Sequence, residues 1–181
     1  MGEGEHAYNC LKYCGIHYTG IDISQKSLDV AEERLKSFKG RYRLKRDNAN
    51  KLSFHDNSFD GVFCAATLHH MDRPYIMISE MARVLKPGGR IAIMEPNWLY
   101  PSNLGFMLLL KEDRNMWIMR RKNFQDWMQK AGLKDVSVKN MLYTPPVPGF
   151  MIPIYDQIDN ICSRLPLIQR CSLMLFGSAM K

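Results

Sequence analysis

Apolar residues along the chain fall into short continuous runs separated by longer segments with helical spacing. The short runs at residues 18–23, 59–66 and 90–94 have the length of strands, and residues 25–38 repeat apolar positions at helical intervals. Strands that alternate with helices in this way are typical of βαβ units with parallel strands. The pattern therefore predicts a doubly wound α/β fold, in which a mainly parallel sheet carries helices on both faces.

Two of the predicted strands differ in polarity. The run FDGVFCAA at residues 59–66 is almost continuously apolar, which predicts a central strand covered on both faces. Residues 41–46 alternate basic side chains with Tyr42 and Leu44, which predicts an edge strand with one face in water. The other expected elements are helices at 6–14, 76–85, 123–130 and 154–165, strands at 134–142 and 173–178, a tight turn at 86–89 and a proline-rich connection at 145–148.

The regular alternation stops after Pro96. We expect residues 97–120 to form a variable, lid-like insertion within a single domain of residues 1–181, because no linker or internal repeat marks a second domain. Its aromatic, Met and Leu side chains are compatible with an apolar acceptor site, with ordinary core packing, or with membrane-surface contact beside neighbouring basic residues. These side chains are Trp98, Tyr100, Phe106, Met107, Leu108 and Trp117.

Composition narrows the class of protein. With 46% hydrophobic and 24% charged residues, the chain is an ordinary globular protein. The apolar run at 104–110 is far shorter than the roughly 20 residues of a membrane-spanning helix, so we expect no transmembrane segment and a cytoplasmic location. Five scattered cysteines indicate neither disulfides nor a metal site. The net charge of +7 suits an anionic partner, but no nucleic-acid recognition motif accompanies the basic clusters.

Asp22 is the first candidate for ligand binding. It lies near the end of the strand predicted at residues 18–23, and ligands of open α/β sheets bind beyond the carboxyl ends of the strands. A carboxylate in this place can accept hydrogen bonds from both hydroxyls of a ribose. The alternative is that Asp22 complements the dipole of the helix that follows Ser24.

Four segments in order carry a family resemblance: YTGIDIS, NANKLSF, DNSFDGVFCAATLHHMD and EMARVLKPGGRIAIMEP. They resemble the successive motifs of class I S-adenosylmethionine-dependent methyltransferases, of the small-molecule type that includes the quinone-biosynthesis C-methyltransferases. The resemblance covers residues 2–142. It implies S-adenosylmethionine as cofactor and a seven-stranded sheet in the order 3-2-1-4-5-7-6 with an antiparallel last strand.

The resemblance also implies which residues bind the cofactor. Asp22 would bind the ribose, with Ile23 beside the adenine. The position that meets the adenine amino group aligns with Asn48, followed by Ala49, while Asp47 lies one residue early, and either Asp47 or Asn48 can serve. The remaining positions are Gly2 and Gly4, at the end of the glycine-rich loop, and Ala65, whose backbone would approach the methionine part.

The amino end departs from the family pattern. Gly2 and Gly4 resemble the last part of the glycine-rich loop, so the resemblance implies that the first strand and part of that loop are missing. Backbone groups left unpaired by such a gap would cost about 1 to 3 kcal/mol each. We therefore expect a partner segment, a rearranged sheet or weak cofactor binding, and the exposed edges also allow a homo-oligomer.

The implied reaction is methyl transfer to a small-molecule or lipid-like acceptor by in-line displacement, in which positioning supplies much of the rate. His69 and His70 are the candidate catalytic residues, since either can deprotonate an acceptor, and the alternative is a helix-entry feature. Glu95 is a further candidate. A module without catalysis that acts through protein association stays open as a second hypothesis, whereas a nicotinamide-dependent dehydrogenase would need a full glycine fingerprint.

Overall fold

In the computed structural model, the strands of the described residues form one sheet of two strands and one of four. They belong to two units, Met1–His55 and Asp56–Lys181. The single domain expected over residues 1–181 stays a prediction. The structure describes residues 2–141, 152–162, 164–165 and 168–181, so the proline-rich connection expected at 145–148 lies outside the described residues.

The first unit is built from two parallel strands and two helices. Asp22 pairs with Arg46 in the parallel register, so the carboxyl ends of both strands lie at the same end of the sheet. Ser24 begins the second helix by accepting a hydrogen bond from the backbone N–H of Ser27 through its side chain. The elements are α1 (Glu5–Tyr13), β1 (Tyr18–Asp22), α2 (Gln25–Leu35) and β2 (Tyr42–Arg46), with a 3-10 turn at Lys36–Phe38.

Aromatic and aliphatic side chains form the core of the first unit. Leu35 is fully buried, and the rings of Tyr8 and Phe38 meet edge to face with centroids 5.3 Å apart. Burial raises the pKa of Tyr18 to about 12, so its hydroxyl stays protonated. Val30 is 37% exposed, although its spacing placed it with the apolar positions of this helix, because it lies off the buried face of α2.

The second unit contains the four-stranded sheet. β3 runs parallel to β4, and β6 lies between β4 and β5 and is antiparallel to both. No helix among the described residues is long and apolar enough to cross a membrane. The elements are β3 (Phe59–Ala65), α3 (Pro74–Val84), β4 (Leu85–Pro96), α4 (Pro101–Leu109), α5 (Arg121–Lys130), β5 (Lys134–Met141), α6 (Ile152–Cys162) and β6 (Met174–Met180), with 3-10 segments at Leu68–His70, Lys111–Ile118 and Ile168–Cys171.

Each of the two units reproduces one part of the strand order that the family resemblance implies. The first unit has β2 beside β1, and the second has the order β3-β4-β6-β5, which correspond to strands 3-2 and 4-5-7-6 of the expected sheet. The antiparallel last strand is confirmed. Within the described ranges, no strand pairs with the second edge of β1 or β3, where the expected order places strand 1.

Two expectations for the second unit were wrong in detail. Residues 86–89 do not form a separate turn between helix and strand. They lie within β4 as an irregularity at which Gly88 has a φ of +76° and the pairing with β3 shifts. β3 is not covered on both faces, since Phe63 is 42% exposed while Cys64 is buried. A continuous apolar run has no alternation, so it cannot distinguish one covered face from two.

A buried polar network holds the insertion against the sheet. The side-chain amide of Asn97 donates to the carbonyl of Arg170 at 2.8 Å and to Oγ of Ser172 at 3.3 Å. Asn103, on α4, donates to the carbonyls of Asn97 at 2.9 Å and Leu173 at 3.0 Å. Buried polar groups need such partners, so these contacts fix the start of the insertion next to the start of β6.

Candidate functional site

The carboxylate of Asp22 lies at the carboxyl end of β1. Oδ1 accepts the N–H of Ser24 and Oδ2 accepts the N–H of Gly2, both at 2.9 Å. Partial burial raises the pKa of Asp22, but the hydrogen bonds from Ser24 and Gly2 help to bring it below its ordinary value. Asp22 is therefore ionised at neutral pH, and an ionised carboxylate acts only as a hydrogen-bond acceptor.

Two glycines shape the loop that contacts Asp22. Gly2 and Gly4 have φ values of +58° and +81°, in the left-handed region that glycine adopts without steric cost. Gly4 is the N-cap of α1, and its carbonyl accepts the N–H of Tyr8 at 2.9 Å. The predicted glycine positions therefore set the approach of this backbone to Asp22.

The loop after β2 is joined to the end of β1. The N–H of Asp47 donates to the carbonyl of Asp22 at 3.1 Å. The carboxylate of Asp47 accepts the N–H and the hydroxyl of Ser53 at 3.0 and 2.6 Å and the N–H of Asn48 at 2.9 Å. Asp47 thus closes its own loop, while Asn48 is exposed and its Oδ1 accepts the N–H of Asn50.

An apolar side chain stands beside this polar edge. Ile23 follows Asp22 directly and is 67% exposed, and its carbonyl accepts Nε of Arg46 at 3.0 Å. An ionised carboxylate next to an exposed apolar side chain can contact the hydroxyls and the ring of a nucleoside. The predicted site residues that the first unit places on the loops at this end are Gly2, Gly4, Asp22, Ile23, Asp47, Asn48 and Ala49.

The remaining predicted residues lie in the second unit, around the turn after β3. Ala65 ends the strand, and its carbonyl accepts the hydroxyl of Thr67 at 2.9 Å. Ala66 has a φ of +47°, and this left-handed conformation costs a residue with a Cβ about 1 to 2 kcal/mol. Backbone strain of this kind is concentrated at functional sites. The sequence analysis missed Ala66, for which the only sequence signal is a pair of small residues after the strand.

A buried carboxylate organises the same turn. Glu95 is fully buried, and its Oε1 accepts the N–H groups of Thr67 at 2.7 Å and Leu68 at 2.8 Å. Its Oε2 lies 2.6 Å from Nδ1 of His69 and also accepts the backbone N–H of His69 at 3.4 Å. We assign the proton of this short contact to Nδ1, because a carboxylate is an acceptor. Glu95, named in the sequence analysis only as a further candidate, therefore fixes the start of the turn and the orientation of the His69 ring.

The two candidate histidines differ in access. Their ring centroids are 3.9 Å apart with a tilt of 48°, so the structure brings them together. His69 is only 4% exposed, whereas His70 is exposed. Of the pair, His70 is the one that a molecule from solution can contact.

Neither thiol nor metal chemistry is indicated near this turn. Burial raises the pKa of the Cys64 thiol to about 12, with a smaller contribution from the charge of Glu95, so the thiol stays protonated. In the part of the chain that the structure describes, no three His, Cys, Asp or Glu side chains are grouped as metal ligands.

Comparison with known proteins identifies the family. A family model described as a methyltransferase domain matches residues 1–93, slightly more than half of the chain. The match includes the loops of the first unit, the turn after β3 and most of β4. The chain belongs to this family of methyltransferase domains, as the motif resemblance implied.

Individual relatives agree with this assignment. The 27-O-demethylrifamycin SV methyltransferase of Amycolatopsis mediterranei is 31% identical over 155 residues, which cover 80% of this chain and 56% of that protein. The demethylmenaquinone methyltransferase of Bacillus licheniformis is 36% identical over 90 residues, which cover 50% and 38%. The chain thus spans little more than half, or less, of the length of these relatives.

Solved structures share the fold. Phosphoethanolamine N-methyltransferase 2 of Haemonchus contortus, in complex with S-adenosyl-L-methionine, superposes with a TM-score of 0.72 over 99% of this chain and 46% of its own. The sequence identity is 22%, a level at which the likeness shows the fold. The predicted α/β fold is confirmed.

Replacing Glu95 with Ala removes the acceptor of three backbone N–H groups at the turn and of the Nδ1–H of His69. Because each buried donor left unpaired costs about 1 to 3 kcal/mol, we expect the free energy of unfolding to fall by about 3 kcal/mol or more. Urea denaturation followed by tryptophan fluorescence measures this in the second unit, which contains all three tryptophans. Asp60→Ala is the control, because Asp60 is an exposed residue of the same unit that pairs with Lys86, and the loss of this surface ion pair should have little effect on the free energy of unfolding. Equal losses in the two variants would contradict the role of Glu95.

Proposed function

We propose that this chain is an S-adenosylmethionine-dependent methyltransferase that acts on a small-molecule or lipid-like acceptor by in-line displacement. The observation that carries the proposal is the ionised carboxylate of Asp22 at the edge where β1 and β2 end, in a chain of the methyltransferase-domain family. The cofactor, when bound, supplies a methyl group on a positively charged sulfur. The task of the chain is to hold the cofactor and to position the acceptor.

The first unit would bind the nucleoside. Asp22 would accept hydrogen bonds from the ribose hydroxyls, because its lowered pKa keeps the carboxylate in the charged form, which acts only as an acceptor. Ile23 offers its exposed side chain to the adenine. We assign Asn48 to the adenine amino group in preference to Asp47, since the carboxylate of Asp47 already binds Ser53, and Ala49 lies beside them.

The methionine part of the cofactor would meet backbone groups. Gly2 and Gly4 have no side chain to obstruct its approach, and both adopt the left-handed conformation that glycine allows without steric cost. Ala65, at the end of β3, is assigned to the same part on the resemblance alone. The short side chain of Ala65 is compatible with a close approach to its backbone.

The acceptor is the least determined part of the proposal. The relatives named above are named for 27-O-demethylrifamycin SV and for demethylmenaquinone, and the similar structure is named for phosphoethanolamine. In this chain the insertion has exposed leucines, of which Leu108 and Leu109 are 70% and 83% exposed. These side chains favour an acceptor with a large apolar part.

His70 is the proposed general base when the acceptor must lose a proton. It is the accessible member of the pair and packs against the ring of His69, whose orientation Glu95 fixes. A positioned base of this kind contributes about 10² to 10⁴ in rate. His69 then acts by positioning His70 and the turn, not by contact with the acceptor.

A second candidate function is a module that does not catalyse and acts through protein association, including a homo-oligomer. The observation that favours it is the unpaired second edge of both β1 and β3 among the described strands. Free strand edges can pair with a strand of another chain.

Asp22→Ala should weaken the binding of S-adenosylhomocysteine by about 10 to 100-fold, because it removes the acceptor of both ribose hydroxyls. Isothermal titration calorimetry with the full chain measures the affinity. Asp29→Ala is the matched control, since it removes an exposed acid of the same unit, bonded only to Gln25 in the contacts seen, and should leave the affinity unchanged.

Because the pKa of Asp22 is lowered, its carboxylate stays charged as the pH falls, and binding of S-adenosylhomocysteine should be constant from about pH 8 to about pH 5.

The outcomes of these binding measurements distinguish the two candidate functions. Unchanged affinity in Asp22→Ala would contradict the ribose role. Failure of the unaltered chain to bind would favour the non-catalytic module.

His70→Gln should lower kcat by about 10² to 10⁴ with little change in the affinity for S-adenosylhomocysteine, because a base acts on the acceptor and not on cofactor binding. Transfer of the methyl group to a reduced quinone provides the assay. His17→Gln, which alters an exposed histidine of the first unit, should retain full activity. A His70→Gln enzyme as fast as the unaltered chain would show that His70 is not the base.

A further inference from the structure

The polarity of α4 is the reverse of that of an ordinary surface helix. Among the side chains of α4 whose burial the structure describes, the buried one is the polar Asn103, which is 6% exposed, whereas Leu108 and Leu109 are 70% and 83% exposed. Leu110, directly after the helix, is 45% exposed. A helix on the surface of a globular protein normally has its polar side chains outward, so the outer side of α4 requires an apolar environment.

Aromatic and basic side chains follow the leucines along the chain. Trp117 is 51% exposed, on the 3-10 segment that packs against α4. The guanidinium of Arg120 lies 5.0 Å from the ring centroid of Trp98 and 5.7 Å from that of Trp117. We name this surface the insertion patch, and it consists of Leu108, Leu109, Leu110, Trp117, Arg120, Arg121 and Lys122.

The charge of the insertion patch is positive. Arg120, Arg121 and Lys122 are consecutive and exposed at the start of α5. None of the ion pairs seen among the described residues involves these three side chains. Exposed leucines on a helix, a tryptophan on the segment that packs against this helix, and cations that follow it without acidic partners among the described residues are the combination that binds the interface of a membrane with anionic lipids.

We propose that the insertion patch binds the surface of an anionic lipid bilayer. The leucines enter the boundary between headgroups and acyl chains, Trp117 lies at the level of the headgroups, and the three cations contact lipid phosphates. This inference does not depend on methyl transfer or on cofactor binding. Binding through the insertion patch would place the chain on the surface of the bilayer, where an apolar molecule dissolved in the membrane is accessible to it.

The charge of the patch argues against a second copy of the chain as its occupant. In a symmetric contact the patch would meet itself, so the three cations of each copy would lie opposite those of the other. Like charges in such a contact are unfavourable. An anionic surface complements these cations, and the net charge of +7 adds to the attraction.

Flotation of the full chain with lipid vesicles tests the proposal. One set of vesicles contains phosphatidylcholine alone, and a second contains about one third phosphatidylglycerol. Since each basic residue near an anionic surface contributes about 1 kcal/mol, three of them should raise the affinity for the second set about a hundredfold at low salt. This preference should decrease as salt is added.

Matched variants separate the patch from general properties of the chain. The double variant Leu108→Asp, Leu109→Asp should abolish flotation. The control is the double variant Ile154→Asp, Ile161→Asp, which adds the same charge at exposed positions of α6 and should retain most of the flotation. The double variant Arg121→Gln, Lys122→Gln should lose most of the preference for anionic vesicles. The control is the double variant Lys39→Gln, Arg43→Gln, which removes the same charge from the first unit and should keep this preference. Circular dichroism checks that each variant is folded.

Three results would overturn the proposal. The first is no flotation of the unaltered chain with either set of vesicles. The second is an equal loss in the patch variants and in their controls. The third is a dimer by light scattering without lipid that Leu108→Asp with Leu109→Asp dissociates, which would assign the patch to a second copy of the chain.

Discussion

The parallel pairing of β1 with β2 is the constraint on which the proposed nucleoside site depends. With Asp22 opposite Arg46, the loops that follow the two strands leave the sheet at one edge, and the N–H of Asp47 bonds to the carbonyl of Asp22. A carboxylate, an exposed apolar side chain and an amide are thereby held close together by backbone hydrogen bonds. The hydrogen bonds of this arrangement lie within the first unit, so the residues that would bind the nucleoside are positioned by contacts of that unit alone.

In the second unit a single buried carboxylate has the comparable role. Glu95 joins the end of β4 to the turn after β3 by accepting hydrogen bonds from Thr67, Leu68 and His69. A buried carboxylate is stable only where donors of this kind surround it. The contact of Glu95 with Nδ1 of His69 also fixes the orientation of the His69 ring. The strained backbone of Ala66 lies at the same turn, and the combination of strain with a buried polar group is typical of functional sites.

The sequence was sufficient for the order of elements, the edge position of β2 and the place of Asp22, because each depends on local patterns or on ordered motifs. It was insufficient where long-range contacts decide. The partners of Glu95 lie 26 to 28 residues away in the sequence. Asn97 and Asn103 donate to the carbonyls of Arg170 and Leu173, 73 and 70 residues away, so local sequence spacing does not predict these contacts. The prediction that both faces of β3 are buried was wrong for a related reason, since the apolar run contains no information on what covers each face.

The proposed nucleoside site is tested most directly by nuclear magnetic resonance of the ¹⁵N-labelled chain during titration with S-adenosylhomocysteine. If Asp22 and its neighbouring loops bind the nucleoside, the amide signals of Ile23, Ser24, Asn48 and Ala49 shift, and those of α6 do not. Binding that leaves these four signals unchanged would contradict the account.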